Sequence, residues 1–392
     1  MSAENASSLT PAGHSHVVPV TRGSPKATKA TRAVVVDIGT SLCKCGFAGD
    51  PWPACVVSSM VGKCTSGSNQ KGTFVGQEIW NSSAPFTLSN HSRHDFVVDW
   101  NHVQGTLEHI FQREMKIQPE DHAALVSVPL LCPFTYKSRY AEMLLEGFHM
   151  PAIHVAYQPH LSMFSYGRTS ALVVESGHST SQVVPIYEGY ILNGITKSAA
   201  YGGLDITRFL RKLLNESGTL LAGQQLDIVQ DIKEKCCYAS LDFTEDLCLP
   251  VEQQEVGYKL PDGRLLTVGK ERFLCAEALF QPDLLGSQEP GLPQLACACL
   301  KKHECDIIKT VMGNILLCGG STMMEGFAER FRRELATMCP SGSLGITAAP
   351  HRKFSVWVGG SILASLHSFQ DLWISRSEYE EHGPVCIWKK CF

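Results

Sequence analysis

Asp37, Gly39, Thr40 and Ser41 stand directly after three consecutive valines in the stretch VVVDIGTSLCKCGFAGD (34–50). The valines favour a short buried strand. The small polar residues turn the backbone so that amides and hydroxyls face outward, with a carboxylate at the mouth. A turn of that composition can hold phosphate or a hydrated cation, and it can equally be a plain hairpin turn. The pattern recurs. ALVVESGHST (171–180) ends an apolar strand in Glu175 and Gly177 before Ser181 leads back into a strand, and ILLCGGSTMMEG (315–326) ends a third in Gly319, Gly320 and Ser321 ahead of a helix. Three glycine-containing turns, each at the end of an apolar strand, fit a nucleotide held between two halves of related topology.

The turns need elements to carry them. Residues 122–129 and 152–156 read as buried strands, and Gln158-Pro159 then opens a helix, proline being tolerated in a first turn. Gln158 therefore sits at a strand-to-helix junction, where a side chain reaches a cleft that the sheet supports. Val103, Leu107, Ile110 and Phe111 share one face of a helix after Trp100, with His94 and Trp100 as packing residues, and Met143, Leu144 and Phe148 point inward from a helix over 140–148. Gly202 and Gly203 precede a helix with Ile206, Phe209, Leu210, Leu213 and Leu214 on its apolar face and Asp205 as N-cap. A helix over 227–237 turns Ile228, Ile232 and Cys236 inward and leaves Lys233 and Glu234 to solvent. Pro261-Asp262-Gly263 builds a hairpin within 259–269. Phe327, Phe331 and Leu335 mark an amphipathic helix, as do Val358, Ile362, Leu366 and Phe369.

Composition sets the limits. At 392 residues the chain exceeds one ordinary core, so two interleaved domains are expected. A net charge of -4 offers no basic excess for nucleic acid. No apolar run reaches the roughly 18–20 residues that cross a bilayer. Sixteen cysteines without a secretory signal point to buried thiols in a reducing compartment. The C-x-C spacing of Cys43/Cys45 and Cys297/Cys299 lacks a zinc signature. Residues 1–32 are rich in Ser, Thr, Pro and Ala, with Arg22, Lys26, Lys29 and Arg32 against Glu4. They read as a disordered, mildly basic tail, since Pro11, Gly13, Pro19, Gly23 and Pro25 interrupt the amphipathic helix of a transit peptide.

After residue 32 the chain resembles the actin family over essentially its whole length, through CGFAGD (45–50), YGRTS (166–170), VPIYEGY (184–190), DIKEKCCYA (231–239), LPDGR (260–264), LFQP (279–282), SVWVGGSILASL (355–366) and KCF (390–392). EMKIQPEDHAALVS, VVESGH and ILLCGGSTM are similar to a testis-type branch associated with the acrosome and sperm head. The resemblance implies an α/β, two-lobed fold of duplicated RNase H-like domains with a nucleotide cleft between the lobes. It implies four subdomains: 33–58, 91–165 and 355–392; 59–90; 166–201 and 288–354; and 202–287. It places Asp37 and Glu175 around a divalent cation, Mg or Ca, held through water, and Gln158 beside the attacking water of ATP. Gly39, Thr40, Ser41, Leu42, Lys44, Gly177, His178 and Ser179 fall on the phosphate loops. Gly319, Gly320, Ser321 and Met323 fall on the phosphate and adenosine side, and Asp205, Lys233, Glu234 and Lys353 around ribose and base. Tyr166, Gly167, Ile362, Leu363, Leu366 and Leu372 match the cleft where actin partners dock. The implied setting is cytoplasm and cytoskeleton, with the perinuclear or acrosomal region or the nucleus of germ cells as the narrower one.

The departures from the family pattern bear on function. Ser41 stands at the last glycine of the first loop, where a forced left-handed backbone would cost about 1–2 kcal/mol. Glu175 and His178 replace aspartates, Ser179 replaces a glycine, Leu204 and Gln230 replace arginines, and Gln182 stands where a water-activating histidine is expected. Misplacement by about 1 Å costs on the order of 100-fold in rate, and glutamine is no general base, so the expectation is retained binding of ATP or ADP with weak or absent hydrolysis. Actins also insert an apolar-tipped loop into a neighbour. The corresponding loop here, 63–73, is shorter and has no large apolar side chain, a loss of roughly 3–6 kcal/mol, and self-assembly should fail. The alternatives are a filament-forming ATPase, and a sugar kinase or chaperone ATPase of the same superfold, which would lack SVWVGGSILASL and KCF.

Overall fold

The valine run and the apolar stretches that end in the three turns form the centres of two sheets in a computed structural model, which describes residues 32–64, 73–76, 86–90, 92–93, 97–219, 226–300, 306–340 and 343–391. Residues 1–31 of the tail expected over 1–32, most of the 63–73 loop, His94 and Phe392 lie outside the described residues, whereas Arg32 is held in place by the Ala48 carbonyl, which accepts from its Nε at 3.1 Å.

In the first sheet β1 (Val34–Ile38), β2 (Leu42–Phe47) and β3 (Cys55–Ser58) run antiparallel in turn. On the other side of β1, β4 (Ala124–Val128) and β5 (Ala152–Tyr157) run parallel to it, and Ile374–Ser375 closes the edge. In the second sheet β6 (Ala171–Ser176), β7 (Ser181–Tyr187) and β8 (Tyr190–Ile191) repeat the antiparallel part. There β9 (Ile315–Cys318) and β10 (Ile346–Thr347) repeat the parallel part, while Lys197–Ala199 adds to β7. The orders β3-β2-β1-β4-β5 and β8-β7-β6-β9-β10 are the same, which is the duplication expected from the sequence.

Both sheets are covered on both faces, which explains why their central strands read as unbroken apolar runs. Alternation divides each strand between two layers. Val34 and Val36 join one apolar cluster and Val35 the other. Leu172 and Val174 likewise part from Ala171 and Val173, and Ile315 and Leu317 from Leu316 and Cys318.

The halves meet along α1 (Gln158–Phe164), which leaves β5 and leads towards β6, and α4 (Ser355–Ser365), which packs on α1. A Cβ on Gly359 would lie 1.7 Å from the Leu161 carbonyl oxygen, so a glycine is what lets the two helices touch. Phe164 packs into an apolar cluster of each half. The other helices near the turns are α2 (Gly203–Glu216) and α3 (Leu226–Cys236). A small sheet of Met60–Cys64, Thr73–Val75 and Phe86–Asn90 follows β3.

Four local expectations change. The helix placed at 140–148 begins at Thr135 and passes into a π-turn over Glu142–Gly147, burying Tyr140, Leu144 and Leu145, with Met143 and Phe148 only partly covered. Asp205 is the third residue of α2, not its N-cap; its carboxylate accepts from the Gly202 amide at 3.0 Å. Lys233 is buried rather than solvated. The inward face of α4 is Trp357, Gly359, Gly360, Ser361 and Ala364, so Ile362 and Leu366 face solvent. Apolar spacing marked a stripe there but not its side, because the small residues do the packing.

Candidate functional site

The first turn is fixed by a cross-strand pair. Asp37 and Lys44 are register partners on β1 and β2, and the Lys44 ammonium donates to Asp37 Oδ2 at 2.9 Å. Ser127 Oγ, at the end of β4, donates to Oδ1 at 2.7 Å, and Gln158 Nε2 lies 3.5 Å from that hydroxyl. A chain of polar groups thus runs from Lys44 to the first residue of α1. Ser59 pins the turn from the far side, its hydroxyl donating to the Gly39 carbonyl at 2.6 Å and its amide to the Ser41 carbonyl at 2.8 Å. Ser41 needs no left-handed backbone: among the described residues the non-glycines with positive φ are Lys116, His149 and Glu188. The strain expected there does not arise.

The second turn presents Glu175, buried, with Oε1 accepting from Ser162 at 3.1 Å and Oε2 from Gln182 Nε2 at 2.8 Å. Burial pushes this carboxyl above the ordinary glutamate range, against the two hydrogen bonds, and the Asp37 charge pushes the same way. Burial alone would lower the Lys44 ammonium, but the charge and hydrogen bond of Asp37, with smaller help from Cys43 and Glu175, hold it above the usual lysine range. Asp37, Lys44 and Glu175 therefore feel one another across the junction of the halves.

The third turn is sewn to the second. Gly203 N at 2.9 Å and Ser321 Oγ at 2.7 Å both donate to the Gly177 carbonyl, and Leu204 N donates to the His178 carbonyl at 2.7 Å. Gly319 takes φ 89, and a Cβ there would lie 2.2 Å from the Ser176 carbonyl oxygen. Beside Gly320 a Cβ would meet nothing within 4 Å, so the loop is open on that side. The amides of His178 and Ser179 have no backbone acceptor among the described residues. Burial, aided by the charges of Lys233 and Arg208, lowers the His178 imidazole to about 4. The Lys233 ammonium donates to the Gly203 carbonyl and to Thr207 Oγ1, both at 2.8 Å, and burial lowers its pKa.

The donors fit an anion. The first turn carries an ammonium, the second two amides without a backbone acceptor among the described residues, and the third an open Gly-Gly loop, donor types that grip phosphate. Among the described residues no group of three or more His, Cys, Asp or Glu could hold a metal directly. Both carboxylates already accept protein hydrogen bonds, so a divalent cation fits here through water and through the phosphates it accompanies.

A sequence model described as Actin matches residues 28–392. The chain belongs to the actin family. It is 51% identical over 369 residues to actin-like protein 7A of Macaca fascicularis, covering 93% of this chain and 85% of that protein. It is 51% identical over 373 residues to actin-like protein 7B of Homo sapiens, covering 94% and 90%. With actin-like protein 7A of Bos taurus it shares 50% over 386 residues, covering 97% and 88%. Membership bears out the two-lobed α/β fold and an actin-like cytoskeletal protein, and the family binds ATP or ADP with Mg. No helix among the described residues is long and apolar enough to cross a membrane.

The residues that the family resemblance assigned are only partly gathered. Asp37, Lys44, Gln158 and Glu175 come together, as do Gly177, His178, Ser321 and Lys233. Lys353 is exposed beside Phe354, next to Arg352, whose carbonyl accepts from Gly319 N at 3.1 Å. Glu234 is exposed and accepts from Gln230. Thr40 and Ser179 lie on the turns themselves, Leu42 opens β2, and Gly320 and Met323 bound the short helical turn after β9. Four positioning residues escaped the sequence reading: Ser127, Ser162, Ser59 and Arg352, whose Nε donates to Thr322 Oγ1 at 2.9 Å. A serine inside the apolar strand ALVSV and another inside the apolar helix QPHLSMF were the available signals.

On the other side of the junction, the Tyr166 hydroxyl donates to the Leu317 carbonyl at 2.6 Å and accepts from Ala349 N at 3.1 Å. Gly167, Ile362 and Leu366 are exposed, and Leu363 and Leu372 half-buried.

Proposed function

We propose that this chain is a cytoskeletal scaffold that holds ATP, or ADP, with Mg and turns it over weakly or not at all. It self-assembles poorly and offers the surface around Tyr166, Gly167, Ile362, Leu363, Leu366 and Leu372 to proteins of the actin-binding type. The subdomain boundaries drawn from the family resemblance belong to the same reading. So does the germ-cell setting, in the sperm head and acrosomal or perinuclear region, which rests on likeness to the testis-type branch.

The observation that carries the reading is the Glu175–Gln182 pair. Bound ATP supplies a phosphoanhydride that water can cleave, and the residues must then take a proton from that water. Gln182 and Gln158 are amides and accept none at neutral pH. His178, lowered to about 4, is too weak a base to do so. Lys44 and the loop amides can still neutralise phosphate, so holding survives where turnover does not.

The test is sedimentation in Mg-ATP with phosphate release followed in the same sample. The scaffold reading expects a soluble protein and phosphate at the buffer's own rate. Pelleting accompanied by phosphate release overturns it in favour of a filament-forming ATPase.

A further inference from the structure

The proposed nucleotide chemistry uses no thiol, yet among the described residues three pairs of cysteines lie sulfur to sulfur. Cys297 and Cys339, 3.4 Å apart, and Cys237 and Cys275 are buried on both sides in the core of the second half. No oxidant reaches them while that core is closed.

Cys45 and Cys55 differ. They stand opposite one another in the β2–β3 register, Cys45 fully buried and Cys55 half-buried. Directly opposed antiparallel residues have Cα atoms about 4.5–5.5 Å apart, inside the range of about 4.4–6.8 Å that a disulfide spans. A hydrogen bond from Cys45 holds the Cys55 thiol below the ordinary range, against burial and the charge of Glu114. Burial pushes Cys45 well above that range. The sulfur nearer solvent is thus the one that carries thiolate character.

We propose that Cys45 and Cys55 are a redox-modification site, in which Cys55 attacks a low-molecular-weight disulfide such as glutathione disulfide and Cys45 resolves the adduct. Cys55 Sγ bonds to one sulfur of the oxidant, the oxidant's S–S bond breaks, and one thiolate leaves and takes up a proton. Cys45 then loses its proton and attacks Cys55 Sγ, forming the intrachain bridge and releasing the second thiol. Two protein thiols are oxidised and one disulfide is reduced to two thiols. The bridge staples the strand that carries Lys44 to the strand that runs on into Ser59, which pins the first turn.

The test uses the full chain, reduced and then incubated with glutathione disulfide. Free thiols are alkylated before and after denaturation and peptides are read by mass spectrometry. The first linked peptide should be Cys45–Cys55, with the two buried pairs alkylated only after denaturation. Glutathione should accumulate on Cys55 in Cys45→Ser about tenfold or more above its yield on Cys45 in Cys55→Ser, since only one of the two sulfurs is reachable. A first bridge at either buried pair, equal adduct on the two variants, or Cys55 still fully alkylated under excess oxidant overturns the proposal.

Discussion

The turns after β1 and β6 hold corresponding places in the two halves, and each sets a buried acid against its hairpin partner: Asp37 against Lys44, Glu175 against Gln182. One acid meets an ammonium at 2.9 Å and the other an amide at 2.8 Å. The geometry is shared and the electrostatics are not. The first turn keeps a cation beside its acid, while the second keeps a carboxyl whose ionisation burial opposes and whose hairpin partner is a neutral amide. Duplicated topology thus supplies the same backbone twice, and under the proposed function one side chain in each half sets whether the turn grips or reacts.

The largest expected effect comes from breaking the first pair. Lys44→Ala leaves two acids facing each other with their cation gone, and truncating one member of a buried pair costs about 3–5 kcal/mol. The Lys44 side chain is 15% exposed, so about 3 kcal/mol is expected in urea unfolding, together with lost nucleotide retention. A change under about 1 kcal/mol would remove the contrast between the two turns. Making the second turn reactive comes next. Gln182→His places an imidazole against Glu175, and phosphate release should rise about 100-fold, the scale of general-base assistance. An unchanged rate would mean that the side chain at 182 does not set turnover.

A smaller effect concerns Glu175 itself. Its folded pKa lies above the unfolded value, so protonation favours the folded state at low pH and that contribution fades as pH rises through the raised value. The unfolding midpoint of Glu175→Gln should therefore gain on the wild type as pH is raised from acid to neutral. A gap that shrinks with rising pH contradicts the assignment. Least costly of all should be Ile362→Asp with Leu366→Asp. Both residues face solvent, so stability should stay within about 0.5 kcal/mol while capture of actin-binding-type proteins is lost. Undiminished capture would move docking elsewhere.

Much of the fold was legible because its signals are local. Valine runs, a proline after Gln158 and small residues after each apolar strand fix strands, α1 and the turns without tertiary help. What escaped depends on partners distant in sequence. Lys233 looked solvated because nothing nearby announces that Gly203 and Thr207 will each accept a hydrogen bond from its ammonium. Ser127 is a single hydroxyl in an apolar strand until β1 lies beside it. The outward side of α4 was hidden for the opposite reason, since its packing atoms are those that Gly359 and Gly360 lack.

The central claim is that the site holds nucleotide without turning it over. The most direct measurement is to denature the purified protein and identify by chromatography the adenine nucleotide released per chain. Stoichiometric ATP is the predicted result. Stoichiometric ADP, with matching phosphate release when the protein is reloaded with Mg-ATP, would contradict it.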